Sequence, residues 1–438
     1  MEKRRVVITG VGVVCALGKD KEHYFQGLMD GVSGVDRIRV FDASTFPSQI
    51  GAEILDFSFK HYVPKSYRKA AKLMSRDIEL AIASADLAFR DAGIKTKGTC
   101  PEEASDVDST RIGVNIGAAS ICCDLMELGG AVEHGVEAGR FSYGKWGKEG
   151  MEALTPLWLL KYLPNMLGCH VSIIHDLQGP SNSVTCAEVS GLLSIGEAYR
   201  KIVRGKADVM VAGGGESKMN AMEMVRHTLM GRTSTHYNDR PQEASRPFDK
   251  GADGVVLGEG AGLIVLEEYE RACSRGADIY AEITGFGSSS NMSDDFIEPE
   301  ADGAGISIAL MKALTEANLT QDDIQLLIPH GEAVAGHDIS EAVAIARVFA
   351  DRVEELPILA TKSRIGNCGA GGSAIDLATA ALAMRENKIP PNVNCPNPIE
   401  AKGLNFVGSA VQETKLKNVM SSCYTYGGQT AAMVISRI

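Results

Sequence analysis

Apolar residues along this chain fall into short β-branched runs closed by glycine, and these alternate with stretches of helical period. Arg5-Val-Val-Ile-Thr-Gly-Val-Gly-Val-Val14 reads as a buried strand and turn. Residues 76–92 place Ile78, Ala81, Ile82, Ala85 and Phe89 on one helical stripe, and Gly93 follows as the C-cap. Residues 111–117 form a second glycine-ended strand, whereas 119 to about 160 show mixed periodicity and read as an excursion of helices and loops. Val184 sits at a strand end, and 191–203 read as a helix. Residues 207–215 read as a core strand running into a glycine turn, and 258–267 as a further strand. Strands alternating with helices predict an α/β fold with a largely parallel sheet covered on its faces.

The pattern also repeats. Ile8-Thr-Gly-Val-Gly12 recurs as Ile283-Thr-Gly-Phe-Gly287, and each copy is followed, after a loop, by an Ala/Leu-rich helix, 77–92 and then 305–317. The matching order of elements points to duplication with a seam near Gly276, hence halves of 1–275 and 276–438.

Composition narrows the class. The 438 residues suffice for a large core, and a net charge of −12 without a long Lys/Arg run argues against nucleic acid or an anionic membrane as partner. Ten cysteines without a C-x-x-C pair fit neither a zinc site nor a disulfide framework and read as free thiols in a reducing compartment. Met1 to Arg5 runs straight into an apolar strand too short for a signal peptide, and no window reaches the length of a membrane span. A cytoplasmic protein is expected. The clusters Gly213-Gly-Gly215 and Gly369-Ala-Gly-Gly372 lack the register of a nucleotide loop and are read as packing glycines; no metal or cofactor is implied.

A series of motifs then gives the chain a family likeness: the opening strand, Leu163-Pro-Asn-Met-Leu-Gly-Cys-His-Val-Ser172, Gly179-Pro-Ser181, Ala207-Asp-Val-Met-Val-Ala-Gly-Gly214, Ser245-Arg-Pro-Phe-Asp249, Gly258-Glu-Gly-Ala-Gly262 and Ile389-Pro-Pro-Asn-Val393. In this order and spacing they resemble a β-ketoacyl-acyl-carrier-protein synthase of the elongating type, over nearly the whole chain. The resemblance implies a thiolase-like five-layer αβαβα fold from two duplicated halves, assembled as a dimer. Family members condense an acyl chain with a malonyl group on acyl carrier protein, using one cysteine and two histidines.

Each family position can be located here. The cysteine lies nine residues after the glycine of Gly-Pro and three before the next glycine; from Gly179 and from Gly191 both counts land on Glu188. Cys186 falls two residues early, a displacement of about 6–7 Å along a strand. His330, in Pro329-His-Gly-Glu-Ala-Val-Ala-Gly-His-Asp338, is the retained catalytic-type histidine. The two threonines that help hold the pantetheine arm are replaced by Glu332 and Val334. His337 has no family counterpart and is expected to be solvated. In Thr361-Lys-Ser-Arg-Ile-Gly-Asn367 the lysine is kept as Lys362 and the second histidine is Asn367. Tyr426, in Tyr424-Thr-Tyr-Gly-Gly-Gln-Thr430, occupies the gating aromatic position, with Thr425 where a glycine would confer freedom.

Changes concentrated at one site on a retained scaffold suggest a non-condensing subunit of fatty-acid or polyketide (possibly polyene) synthesis. It resembles a chain-length factor and pairs with an active ketosynthase, or with itself, and with acyl carrier protein through that partner. Two alternatives stand beside it. One is an active 3-oxoacyl synthase using Cys186, His330 and Asn367; the other is a malonyl decarboxylase with Glu188 in the nucleophile position. The resemblance further predicts an ion pair between Glu188 and His330 that raises the histidine pKa.

Overall fold

The computed structural model describes residues 4–290, 293, 297–400 and 403–438; of the opening segment Met1 to Arg5, the first three residues lie outside it. Its principal elements, in chain order, are β1 (Val6–Cys15), α1 (Arg76–Asp91), β2 (Ile112–Ala118), α2 (Met166–His175), β3 (Ser181–Thr185), α3 (Ser190–Val203), β4 (Val209–Ser217), α4 (Ala221–Leu229) and β5 (Glu259–Glu268). The second half adds β6 (Ala281–Ser290), α5 (Ala304–Ala317), β7 (Leu326–Ile328), α6 (Ala335–Phe349), α7 (Ala370–Glu386), β8 (Asn418–Tyr424) and β9 (Gln429–Ser436). Among the described residues, these strands form one nine-stranded sheet in the order β7-β8-β9-β6-β1-β5-β4-β2-β3.

The sheet is mixed, which corrects the expectation of a largely parallel one. Only its ends are parallel, β7 with β8 and β4 with β2 with β3; the middle, from β8 through to β4, runs antiparallel. Two halves built alike meet edge to edge at β1 and β6, where Val7 pairs with Glu282 and Ile8 with Ala281. The resulting layers are α1 and α2 outside the first half, α3 and α7 between the halves, and α5 and α6 outside the second. Helix α7 is buried on all sides from Ala370 to Met384, as a central helix must be.

The repeated pentapeptide has a packing cause. A Cβ on Gly10 or Gly12 would lie 2.2 and 2.0 Å from the carbonyl oxygens of Ala88 and Ser84 in α1. A Cβ on Gly285 or Gly287 would lie 2.1 Å from those of Ala313 and Ala309 in α5. Both strands also slip register at the same point, between Ile8 and Gly10 and between Ile283 and Gly285. Helix backbone therefore sits directly on strand backbone in both halves. Gly213, Gly214 and Gly215 belong to β4 itself rather than to a turn, and a Cβ on Gly214 would meet Ala370 O at 2.1 Å. No helix among the described residues is long and apolar enough to cross a membrane.

Candidate functional site

Three loops converge on the N-terminus of α3. The first is the turn between β3 and α3. Cys186 leaves the strand, Ala187 adopts a left-handed φ of 47°, and a single tight turn, Ala187–Val189, delivers the chain into the helix. Such a conformation costs a non-glycine residue roughly 1–3 kcal/mol and needs a surrounding structure that enforces it. Here Ser190 Oγ accepts from Cys186 N at 2.7 Å and donates to Ala118 O, while Ser373 Oγ donates to Glu188 O at 2.9 Å. The turn aims the Glu188 side chain inward, and only 1% of the residue is exposed.

The second loop carries His330 to Val334. Glu341, nearly two turns into α6, accepts from the backbone N–H groups of His330 and Gly331, both at 2.8 Å, and Asp338 accepts from Glu332 N at 2.9 Å. These anchors hold Gly331 and Ala333 in left-handed conformations, φ 52° and 64°. The third loop is 361–372. Lys362 Nζ lies 2.9 Å from Asp376 Oδ2, and Asn367 is fixed through its backbone to Val256 and Gly258 and through its Oδ1 to Gly369 N.

The loops bring together two buried carboxylates. Glu188 Oε2 accepts from Thr425 Oγ1 at 2.9 Å; Glu188 Oε1 lies 3.7 Å from Lys218 Nζ and 3.5 Å from Asn367 Nδ2. Glu332 Oε1 accepts from Asn367 Nδ2 at 3.0 Å and sits 2.6 Å from the Arg232 guanidinium; its Oε2 lies 3.0 Å from His337 Nδ1. The Arg232 contact is one of charge, because among the described residues none of its N–H groups is aligned on an acceptor. Lys218 is shared with Glu216 at 2.9 Å, which in turn accepts from Ala370 N.

Burial alone would raise the carboxyl of Glu188, but the Lys218 ammonium and the Arg232 guanidinium outweigh it and hold the group below the usual glutamate range. Burial likewise opposes ionisation of Glu332, yet Arg232 and the bond from His337 bring it well below that range. For Lys218, burial works against the charge, and Glu216 with Glu188 more than restores it. The charges of Glu188, Glu332 and Lys218 are thus each kept by another buried charge, whereas at Glu216 burial prevails and raises the carboxyl pKa.

Three expectations change on this geometry. Glu188 and His330 form no ion pair or hydrogen bond: the Glu188 carboxylate is taken by Lys218, Thr425 and Asn367, and His330 Nδ1 faces Cys423 Sγ at 3.1 Å. The His330 pKa is lowered, to about 3, by burial and then by the nearby Lys362 ammonium, rather than raised. His337 is not solvated; it is fully buried between Glu332 and Glu298. Cys186, half-buried, makes no hydrogen bond to His330 or Asn367 among the described residues, and burial raises its thiol pKa, the wrong direction for a nucleophile.

The remaining predicted residues take clear places. Tyr426 lies in the turn between β8 and β9, its ring 4.4 Å from the Arg232 guanidinium and its hydroxyl accepting from Arg226 at 3.0 Å. Val334 is half-buried against the apolar cluster of Met219, Met224, Val255 and Leu257. Lys362 serves Asp376 rather than the Glu188 carboxylate. Lys218, Glu216 and Arg232 were not anticipated. The one available signal was a Glu216–Lys218 charge pair closing an otherwise apolar strand; Arg232 lies in a stretch with no periodicity.

A large mixed sheet of two like halves, with a loop-built site at the head of a central helix, defines a thiolase-like ketosynthase fold. The chain belongs to the β-ketoacyl synthase family: the family's N-terminal domain matches residues 3–272 and its C-terminal domain residues 280–396. It is 36% identical to a 3-oxoacyl-[acyl-carrier-protein] synthase 2 of Coxiella burnetii, covering 100% of both chains. Among solved structures it resembles a β-ketoacyl synthase from Burkholderia phymatum (29% identity, TM-score 0.86, 99% and 100% covered). It also resembles the ishigamide ketosynthase/chain length factor (26% identity, TM-score 0.83, 100% of both chains).

Proposed function

We propose that this chain is a non-condensing ketosynthase-family subunit, similar in role to a chain-length factor, which works beside an active ketosynthase in fatty-acid or polyketide synthesis. The observation that carries the reading is the state of Glu188. At the head of α3, where the family likeness calls for a thiolate, stands a carboxylate whose oxygens are already engaged by Lys218, Thr425 and Asn367. A carboxylate attacking a thioester would give a mixed anhydride, too reactive to hold a growing chain, and this one would first have to give up its partners. Glu332 and Val334 supply no hydroxyl for a pantetheine arm. Likeness to a ketosynthase/chain length factor structure supports the reading further. Acyl carrier protein is then met through the partner subunit.

The alternative, an active 3-oxoacyl synthase, draws support from the name of the Coxiella burnetii relative. It would need Cys186 as nucleophile with His330 and Asn367. Iodoacetamide labelling followed by peptide mass spectrometry separates the two. The proposed role predicts substoichiometric labelling of Cys186 and no condensation by the pure chain; stoichiometric labelling together with condensation establishes the alternative.

A further inference from the structure

His330 is the one histidine retained from the family pattern, and its surroundings dictate more than its presence. Its Nδ1 lies 3.1 Å from Cys423 Sγ, both residues being about 1% exposed. Among the described residues, its Nε2 is buried without a hydrogen-bond partner. Tyr424 packs edge-on against the ring, with centroids 4.7 Å apart, and the backbone N–H is held by Glu341. Among the described residues the ring therefore has one hydrogen-bonding contact, and that contact is a thiol.

We infer that Cys423 is a positioning residue: its S–H donates to His330 Nδ1 and so fixes the ring as the neutral tautomer with its proton on Nε2. A neutral imidazole carries one N–H, and the nitrogen that accepts from a neighbour is the bare one. Burial raises the Cys423 thiol pKa well above its ordinary value, which keeps the proton on sulfur, and burial holds the imidazole neutral. The nearby Lys362 ammonium also opposes a positive charge on the ring. Among the described residues the S–H has one other acceptor, Tyr424 O, at the longer distance of 3.6 Å.

The consequence is chemical and independent of whether the chain condenses. Locked this way, the Nε2 edge can only donate, so a guest reaching it must bring a hydrogen-bond acceptor such as a carbonyl or carboxyl oxygen, not an N–H or a cation. A serine at 423 would preserve the arrangement; an alanine would release it.

The test is ¹⁵N-histidine NMR on the full chain at neutral pH, with His330 assigned by loss of its signal in His330→Asn. The wild type is expected to show a protonated Nε2 and a bare Nδ1. Cys423→Ser should keep that pattern, and Cys423→Ala should convert it to a mixture or to the Nδ1–H form. A protonated Nδ1 in the wild type, which needs no variant to fold, overturns the inference. So does a Cys423→Ala protein whose tautomer is unchanged.

Discussion

Replacing Lys218 by methionine isolates the interaction on which the site depends. The side chain is buried, and Met keeps most of its length and its apolar stem while removing the ammonium. Lys218 stands 3.7 Å from Glu188 and 2.9 Å from Glu216. At an effective dielectric of about 20, a unit charge pair at the longer distance is worth roughly 4–5 kcal/mol before desolvation. Removing one member of a buried pair typically costs about 3–5 kcal/mol, because the other is left buried and uncompensated. Glu188 can limit that loss by taking up a proton. Its folded pKa in the variant then lies above the unfolded value, so stability is retained at low pH and lost as pH rises through the new pKa. Urea denaturation of Lys218→Met should thus show a larger deficit at pH 8 than at pH 5, growing by up to about 1.4 kcal/mol per pH unit. The second change Glu188→Gln should recover about 1–3 kcal/mol in a double-mutant cycle and flatten part of that pH dependence. A deficit below about 1 kcal/mol, or strict additivity of the two changes, would refute the pairing of Glu188 with Lys218.

Further expectations come from the same geometry. Gly285→Ala places a methyl group 2.1 Å from Ala313 O and should destabilise by about 1–3 kcal/mol in urea melts, as should Gly10→Ala in the other half. His330 is neutral when folded, with a pKa of about 3 against 6.5 for the free side chain, so the unfolded chain takes a proton first on acidification. Its contribution to stability falls between pH 6.5 and pH 3, by up to about 1.4 kcal/mol per unit, and His330→Asn should shallow that slope. Thr425→Val removes the hydroxyl that donates to Glu188 and should speed amide exchange in the turn 425–428, read by mass spectrometry.

Much of the scaffold was legible because it rests on backbone contacts that only glycine allows. Gly10, Gly12, Gly285 and Gly287 announced both the strands and their duplication, since the strand–helix contact they permit leaves no room for a side chain. Strand direction was not legible between β4 and β5, because the long segment joining them holds α4 and reads as a crossover, whereas the four residues between β8 and β9 permit only a hairpin once both are known to be strands. At the site, the family resemblance grouped Glu188, His330, Glu332 and Asn367, but not how their charges pair. Lys218 and Arg232 arrive from β4 and from the segment beyond α4, far from the motif loops, and their partners are set by tertiary burial. The same cause explains His337, which a polar loop context suggested was in water. Its neighbour Glu332 is the buried carboxylate that makes a buried histidine tolerable there.

The central claim, that the chain assists condensation without performing it, is tested most directly by reconstitution with a cysteine-bearing ketosynthase. The two would be co-expressed, the complex purified, and elongation of acyl chains on acyl carrier protein measured for each chain alone and for the pair. The account predicts a stable heterodimer whose activity requires both chains, is abolished by loss of the partner's cysteine, and survives Cys186→Ser in this one. Condensation by this chain alone, lost on Cys186→Ser, would contradict it.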